Sequence, residues 1–162
     1  MKITIGIPAF NEEKNIASII TKLRKISDSI IVCNDGSSDM TEEIAKEMGV
    51  IVISHEKNLG YGAAIRSLFE KAREMELDSL ITFDADNQHR IEDISSVFEP
   101  INEGSADIVI GSRFLNERTE NVPTYRKAGI RLITKVTNLS IKEKLTESQS
   151  GFRGYNKKAL KK

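Results

Sequence analysis

The sequence predicts an α/β domain with an open, doubly wound and mostly parallel sheet that carries helices on both faces. Short runs rich in Ile and Val alternate with amphipathic stretches along the first two thirds of the chain. These runs are apolar throughout rather than at every second residue, which is typical of parallel strands buried on both sides. The length of 162 residues is that of one ordinary domain, which can bury a core without disulfides or a structural metal.

The elements are expected in alternation, β then α. The expected strands are ITIGIP at 3–8, SIIVC at 29–33, VIVIS at 50–54, LITF at 80–83 and DIVIG at 107–111. A first helix is expected from the spacing of Ile16, Ile19, Ile20 and Leu23, and three more at 40–48, 62–76 and 91–102. We assign no strand to the last motif, SGFRGYNKKAL. We expect one domain over residues 1–162, short at its C-terminal end.

Composition excludes several classes of protein. Cys33 is the only cysteine, so no intrachain disulfide can form, and with two His residues it cannot supply a usual zinc site. No apolar run approaches the roughly 18 to 20 residues that span a bilayer. The N-terminal MKITIGIP turns polar too early for a signal peptide. We therefore expect a cytoplasmic protein.

The net charge of zero hides an asymmetry along the chain. Residues 116–162 contain twelve Lys or Arg and four Asp or Glu, and residues 1–115 carry the opposite excess. The basic segment indicates a phosphate partner or peripheral contact with an anionic membrane, whereas the acidic part argues against nucleic acid. Lys127, Arg131 and Lys135 recur at helical spacing there, and a solvated helix face is the alternative interpretation.

Polar segments follow three of the expected strands. They are PAFNE at 8–12, NDGSSD at 34–39 and DADNQH at 84–89. Because ligands of open α/β sheets bind outside the carboxyl ends of the strands, we expect these segments to converge on one rim. Arg113, directly after the last strand, is expected at the same rim, where it could bind a diphosphate in a bidentate manner.

Asp84 and Asp86 form the strongest candidate for chemistry. Separated by one residue, they project to the same side of an extended backbone. A hard divalent cation, Mg²⁺ or Mn²⁺, would relieve their repulsion, and Gln88 could supply a further oxygen ligand. The alternative interpretation is a solvated turn at a strand end.

The other strand ends have both structural and functional interpretations. Asp39 is expected to cap the second helix, with Glu42 completing a capping box. Capping does not explain Asp35, whose carboxylate at the strand end could accept hydrogen bonds from a nucleobase or ribose. Asn11 is either a helix cap or a ligand residue, and Glu12 is equally ambiguous.

Neighbouring residues in the sequence decide the interpretation of the glycine-rich segment, the two His residues and Cys33. NLGYGAA at 58–64 has two glycines but Ile65 where a dinucleotide fingerprint needs a third, and no Walker lysine motif occurs. We expect His55 at the surface, Cys33 in a buried strand rather than as a nucleophile, and His89 as a poorer ligand than its oxygen-bearing neighbours.

Six motifs occur in one order between residue 3 and about residue 156. They are PAFNEE, NDGSSD, NLGYGAA, DADNQH, GSR and SQSGFR. In this order they resemble the family 2 glycosyltransferases, most closely the branch of dolichol-phosphate mannose synthases and polyprenyl-phosphate sugar synthases. The resemblance implies a GT-A fold with a Rossmann-like sheet. It also implies sugar transfer from a nucleotide diphosphate donor such as GDP-mannose or UDP-glucose, with Mg²⁺ or Mn²⁺.

The resemblance also implies roles for single residues. Those implied to line the nucleoside pocket are Pro8, Phe10, Glu12, Cys33 and Asp35. Those implied to hold the metal are Asp84, Asp86 and Gln88. Ala85 would contact the donor through its backbone, Arg113 would meet the phosphates, and Arg126 would face the acceptor phosphate. Asp86 and Arg113 are the expected catalytic residues, since cation and guanidinium would neutralise the departing diphosphate.

Two departures from the family pattern bear on specificity. Asn34 replaces the first of two usual aspartates, which predicts a changed base preference. Glu147 stands where relatives often have Asp; a lipid phosphate acceptor is already anionic and needs no general base there. Two other hypotheses remain. One is a catalytically silent nucleotide-sugar-binding fragment or subunit, and the other is a sugar-phosphate nucleotidyltransferase.

Overall fold

The computed structural model describes residues 1–85, 90–112, 134 and 150–162. The strands are β1 (Ile5–Ala9), β2 (Ile30–Asn34), β3 (Ile51–Ser54), β4 (Ser79–Thr82), β5 (Ile108–Ile110) and β6 (Arg153–Asn156). The α-helices are α1 (Ile16–Leu23), α2 (Thr41–Glu47), α3 (Tyr61–Glu74), α4 (Ile94–Asn102) and α5 (Lys157–Leu160). A 3-10 turn over Ile91–Asp93 leads into α4.

The strands form one sheet in the order β3-β2-β1-β4-β6-β5. Strands β1 to β4 are mutually parallel, with Ile5 opposite Ile30 on one side and Ile81 on the other. Strand β6 runs antiparallel between β4 and β5, pairing Leu80 with Tyr155. The sheet is therefore mostly parallel and open, as the continuous apolar runs predicted.

Helices cover both faces of the sheet because successive strand residues point to opposite sides. In β2, Val32 packs with the buried residues of α1, α2 and α4, whereas Ile31 and Cys33 pack under α3 and α5. The approach of α3 is close at Gly6, where a Cβ atom would lie 3.2 Å from the Leu68 side chain. Two apolar clusters thus hold the sheet from either side.

All five expected strands and four expected helices are confirmed, whereas the sequence predicted neither the short helix α5 nor strand β6. Its sequence, RGYN, contains one large apolar residue, so it lacks the apolar run by which the others were identified. Packing defines it instead, since Gly154 lies over Val97 and Ile101 of α4. Among the described residues, no helix combines the length and the apolar character that crossing a membrane requires.

Candidate active site

The carboxyl ends of β1 to β4 lie at one edge of the sheet because these strands are parallel. The chain winds outward from β1 to β2 and β3, then returns to the other side of β1 at β4. The winding direction reverses between β1 and β4, where open α/β sheets have their ligand crevice. Phe10 follows β1 at this point, and Asp84 and Ala85 follow β4. The predicted rim is therefore present.

Three of the sequence motifs meet at the half-buried Asp84 carboxylate. Tyr61, the first residue of α3, donates a hydrogen bond from its hydroxyl to Asp84 Oδ1 at 3.0 Å. Gly151 lies against this pair, so closely that a Cβ atom there would overlap both the carboxylate and the Tyr61 hydroxyl. NLGYGAA, DADNQH and SQSGFR thus each contribute one residue to a single contact.

The environment keeps the Tyr61 hydroxyl protonated. Its burial, the negative charge of Asp84 and the hydrogen bond to that carboxylate raise the pKa of Tyr61 above its ordinary value. A protonated phenol can donate to a carboxylate, which only accepts. Tyr61 therefore orients Asp84 at neutral pH, while the side chain as a whole remains 52% exposed at the rim.

Strands β4 and β6 fix the position of Gly151. The Thr82 hydroxyl donates to the Gly151 carbonyl oxygen at 2.6 Å. The rings of Phe83 and Phe152 pack edge to face with centroids 5.6 Å apart. Gly111, from the GSR motif, lies against the Phe152 ring with no room for a Cβ atom. A fourth motif therefore supports the contact at Asp84 from the core side.

Asp35 lies at the end of β2 with only 4% of its side chain exposed. Its Oδ1 accepts hydrogen bonds from His55 Nδ1 at 2.6 Å and from the Leu59 amide at 3.0 Å. Its Oδ2 accepts from the Gly60 amide at 2.8 Å. Burial alone would raise the pKa of Asp35, but these hydrogen bonds outweigh it and hold the pKa below its usual range. The carboxylate is ionised and anchors the loop before α3.

Gly36 allows the turn after β2 to touch that loop. Its φ of +66° is in the left-handed region, which favours glycine. A Cβ atom there would overlap the backbone of Lys57 and Asn58. The NDGSSD and NLGYGAA motifs are therefore in direct backbone contact.

The rim loops after β1 and β2 are joined by hydrogen bonds. Asn11, with a φ of +55°, accepts from the Ser38 amide at 2.9 Å, so the helix-cap interpretation of Asn11 is wrong. Helix α1 begins only at Ile16 because residues 12–15 form a turn. Asp39 accepts from the Thr41 amide at 3.0 Å and from the Glu13 amide at 3.1 Å, but it lies one residue before Met40, the N-cap of α2, so the expectation that Asp39 caps this helix is wrong.

Asn34 and Glu42 form a part-buried contact that corrects one expectation. The Asn34 amide donates to Glu42 Oε2 at 2.8 Å, and its oxygen accepts from the Ser37 amide at 3.2 Å. Glu42 is thus turned toward β2 and does not complete a capping box. Asn34 is 1% exposed and its amide holds the turn, so a changed base preference at this position stays a prediction.

The residues implied to line a nucleoside pocket differ in exposure. Phe10 is 45% exposed, Glu12 is half-buried and Pro8 is buried. Cys33 has no exposed surface, which confirms it as a core residue; burial, and next the charge of Asp35, raise the pKa of its thiol to about 12. Contact of Cys33 with a nucleoside stays a prediction, and it would involve the backbone. Ala85, directly after Asp84, is buried, and its backbone contact with a donor stays a prediction.

Several expected site residues lie outside the described residues. They are Asp86, Gln88, His89, Arg113, Arg126 and Glu147, together with the basic positions Lys127, Arg131 and Lys135. Their roles stay predictions. Within the described ranges, no group of three potential His, Cys, Asp or Glu ligands occurs. Asp84 itself fits Mg²⁺ or Mn²⁺, because it presents a half-buried carboxylate, the oxygen ligand that these cations prefer, at the crevice.

The expectation that His55 lies at the surface is wrong. Its side chain is 11% exposed and bridges Asp35 and Ser67, whose hydroxyl lies 2.8 Å from His55 Nε2. The strand-end rule that identified the other segments applies to β3 as well, and His55 is the residue directly after β3. Tyr61 and Gly151 were also missed, although both stand within quoted motifs, because their partner is distant in sequence.

A groove of about 680 Å³ lies away from these residues. It is between the C-terminal part of α1 and α4, and its lining combines apolar residues such as Ile3 and Phe98 with charged ones such as Lys22 and Glu99. The site at the rim is therefore defined by strand topology and by the contacts of Asp84 and Asp35, and not by cavity size.

Comparison with known families and proteins gives a consistent result. The model of the family described as glycosyl transferase family 2 matches residues 4–162. A UDP-N-acetylglucosamine–dolichyl-phosphate N-acetylglucosaminyltransferase of Methanococcus voltae is 38% identical, over 96% of this chain and 69% of that protein. A dolichol-phosphate mannosyltransferase of Pyrococcus furiosus is 32% identical, over 99% of this chain and 47% of the relative.

Among solved structures, the chain is similar to glucosyl-3-phosphoglycerate synthase from Mycobacterium tuberculosis. The complex of that enzyme with Mn²⁺ and UDP-glucose superposes with a TM-score of 0.68 at 22% identity, over 97% of this chain and 56% of the synthase. This likeness establishes the fold as GT-A. The chain spans little more than half of the synthase and about two thirds of the methanogen relative.

Proposed function

Because the chain belongs to glycosyl transferase family 2, we propose that it transfers a sugar, with inversion, from a nucleotide diphosphate sugar to an acceptor with the aid of a divalent cation. The observation that carries the proposal is the Asp84 carboxylate, held at the crevice by Tyr61 and Gly151. A fixed carboxylate at that point suits a cation that binds a diphosphate.

The donor is a nucleotide sugar of the UDP-glucose or GDP-mannose type. Support comes from the names of relatives that use UDP-N-acetylglucosamine or transfer mannose, and from the synthase complex with Mn²⁺ and UDP-glucose. Asp35, Phe10 and Glu12 would bound the nucleoside side of the crevice, with Pro8, Cys33 and Ala85 contributing backbone.

Asp84, Asp86 and Gln88 would hold Mg²⁺ or Mn²⁺, which when bound supplies positive charge to the departing nucleotide diphosphate. Tyr61 keeps Asp84 oriented by donating to Oδ1. Arg113 would add a bidentate contact to the phosphate oxygens. Stabilising negative charge on the leaving group is thus the main task of these side chains, and Asp86 and Arg113 are the proposed catalytic residues.

The acceptor is a polyprenyl or dolichyl phosphate, as the names of the relatives support. A phosphate acceptor is already anionic, so the site needs no general base, and Arg126 would face its phosphate. Twelve Lys or Arg residues in 116–162 would allow peripheral contact with an anionic membrane at its cytoplasmic face.

The test is a screen of UDP-glucose, UDP-N-acetylglucosamine and GDP-mannose against polyprenyl phosphate in the presence of Mn²⁺, with the product identified by mass. We expect one lipid-linked sugar phosphate, formed only with metal. Donor binding without transfer or hydrolysis would instead indicate a silent binding subunit. Release of pyrophosphate from a nucleoside triphosphate and a sugar phosphate would indicate a nucleotidyltransferase.

A further inference from the structure

A chain of hydrogen bonds runs from α3 through β3 to the end of β2. The Ser67 hydroxyl contacts His55 Nε2 at 2.8 Å, and His55 Nδ1 contacts Asp35 Oδ1 at 2.6 Å. Cys33 Sγ lies 3.8 Å from the same Nε2 atom. Since a carboxylate only accepts, Nδ1 carries the proton in the contact with Asp35. In the neutral ring, Nε2 then accepts from Ser67.

The order Asp, His, Ser is also that of a hydrolase triad, but the surroundings of Ser67 do not suit that chemistry. Ser67 is the seventh residue of α3, where backbone amides are bonded within the helix. Amides bonded in this way cannot form an oxyanion hole beside the hydroxyl. The chain of hydrogen bonds therefore acts on Asp35.

Asp35 links His55 to the loop before α3, because its carboxylate contacts both. Its carboxylate accepts from the Leu59 and Gly60 amides, and Gly60 has a φ of +92° immediately before α3 begins at Tyr61. Tyr61 in turn donates to Asp84. The two carboxylates of the site, Asp35 and Asp84, are thus connected through residues 59–61, with hydrogen bonds at both ends of that segment.

We propose that His55 is a positioning residue for nucleotide binding: its Nδ1 proton fixes the Asp35 carboxylate, which holds the backbone of 59–60 against the nucleoside side of the crevice. The inference rests on the proposed function for its ligand, a uridine or guanosine diphosphate. The claim that His55 positions the backbone of residues 59–60 does not depend on that ligand.

Two substitutions distinguish the contact at Nδ1 of His55 from the contact at Nε2. In His55→Asn the amide nitrogen takes the place of Nδ1 and keeps a donor for Asp35, whereas in His55→Gln the amide lies at the place of Nε2, where its oxygen can accept from Ser67 but no donor reaches Asp35. UDP and GDP are titrated by calorimetry, with Mn²⁺, into the wild type and both variants. Loss of one hydrogen bond to a charged group predicts at least about tenfold weaker binding in His55→Gln. His55→Asn and the control Ser67→Ala should bind like the wild type.

Amide hydrogen exchange at Leu59 and Gly60 provides a readout that needs no ligand. We expect faster exchange in His55→Gln and unchanged exchange in His55→Asn. Equal exchange and equal binding in the two variants, or loss of binding in a folded His55→Asn, would overturn the role of His55. If the wild type binds neither nucleotide while the exchange pattern appears, the proposed function fails and the positioning of 59–60 by His55 stands.

Discussion

Gly151 brings the last motif of the chain to Asp84 because it has no side chain. In Gly151→Ala the Cβ atom would overlap the Asp84 carboxylate and the Tyr61 hydroxyl, so both must shift. We expect Mn²⁺ affinity to fall by about 10- to 100-fold, the range typical when a partner that orients a metal ligand is disturbed. Mn²⁺ binding followed by electron paramagnetic resonance measures this.

Gly154→Ala is the matched control for that change. Its Cβ atom would lie 2.8 Å from the Val97 side chain of α4, without touching Asp84. Both variants should lower the free energy of unfolding, but only Gly151→Ala should weaken metal binding. Equal Mn²⁺ affinities in the two variants would contradict the contact at Asp84.

The Asn34–Glu42 contact predicts a pH-dependent effect on stability. Asn34→Asp places a second carboxylate against Glu42, whose pKa is held below its usual range by hydrogen bonds from Lys46, Ser54 and Asn34. Like charges raise the folded-state pKa of one of the pair above its unfolded value of about 4, so the loss of stability is full at pH 7, shrinks as pH falls through the raised pKa and is absent below about 4.

Urea unfolding at pH 7 and pH 4.5 tests this expectation. We expect a loss of about 1 to 3 kcal/mol at pH 7, a smaller loss at pH 4.5, and recovery at pH 7 in the double variant with Glu42→Gln. A loss that is equal at the two pH values would indicate a cause other than repulsion between the two carboxylates.

At the scale of elements, β6 is held between β4 and β5 partly by one buried hydroxyl. Thr82, 1% exposed, donates to the Gly151 carbonyl, 69 residues away in sequence. Thr82→Val keeps the shape but leaves that carbonyl without its donor, so we expect stability to fall by about 1 to 3 kcal/mol.

Thr21→Val serves as the control, because the Thr21 hydroxyl bonds Ala17 on the exposed face of α1, where water can replace it. Urea unfolding should show a clear difference between Thr82→Val and Thr21→Val. Equal unfolding free energies would mean that the Thr82 hydrogen bond does not stabilise the junction of β4 and β6.

The elements that the sequence predicts correctly are those with a local apolar pattern, a continuous run for the strands and a helical spacing for the helices. Strands β1 to β5 are apolar runs, and α1 shows Ile16, Ile19, Ile20 and Leu23 on one buried face. Strand β6 and the contact of Gly151 with Asp84 have no local signal, because tertiary packing on α4 and Phe83 determines them. Local capping rules predict helix caps at Asn11 and Glu42. In the structure the two side chains instead contact Ser38 and Asn34, which are distant in sequence.

At the scale of the whole molecule, the single thiol reports on opening of the core. Cys33 is fully buried under α3, and burial and the charge of Asp35 raise its pKa to about 12. Because the thiolate is the reactive form, we expect no labelling by an aromatic disulfide reagent in native protein at pH 8 and rapid labelling in urea. Rapid labelling of the native protein would contradict this packing of β2.

The topology of the sheet explains why distant motifs form one site. Four parallel strands deliver their carboxyl ends to one edge, and the change in winding between β1 and β4 opens the crevice where Asp84 lies. The convergence of the segments after β1, β2 and β4 follows from sequence through this rule. The strand order and the antiparallel insertion of β6 depend on packing between helices and sheet.

The most direct test is calorimetric titration of UDP-glucose and GDP-mannose into the wild type and Asp84→Asn, each with Mn²⁺ and with a chelator. Asn keeps an oxygen for the Tyr61 hydroxyl but removes the charge that the cation needs. We predict metal-dependent binding of at least one donor by the wild type and its loss in Asp84→Asn. Equal binding by both proteins, with or without Mn²⁺, would contradict a cation site at Asp84.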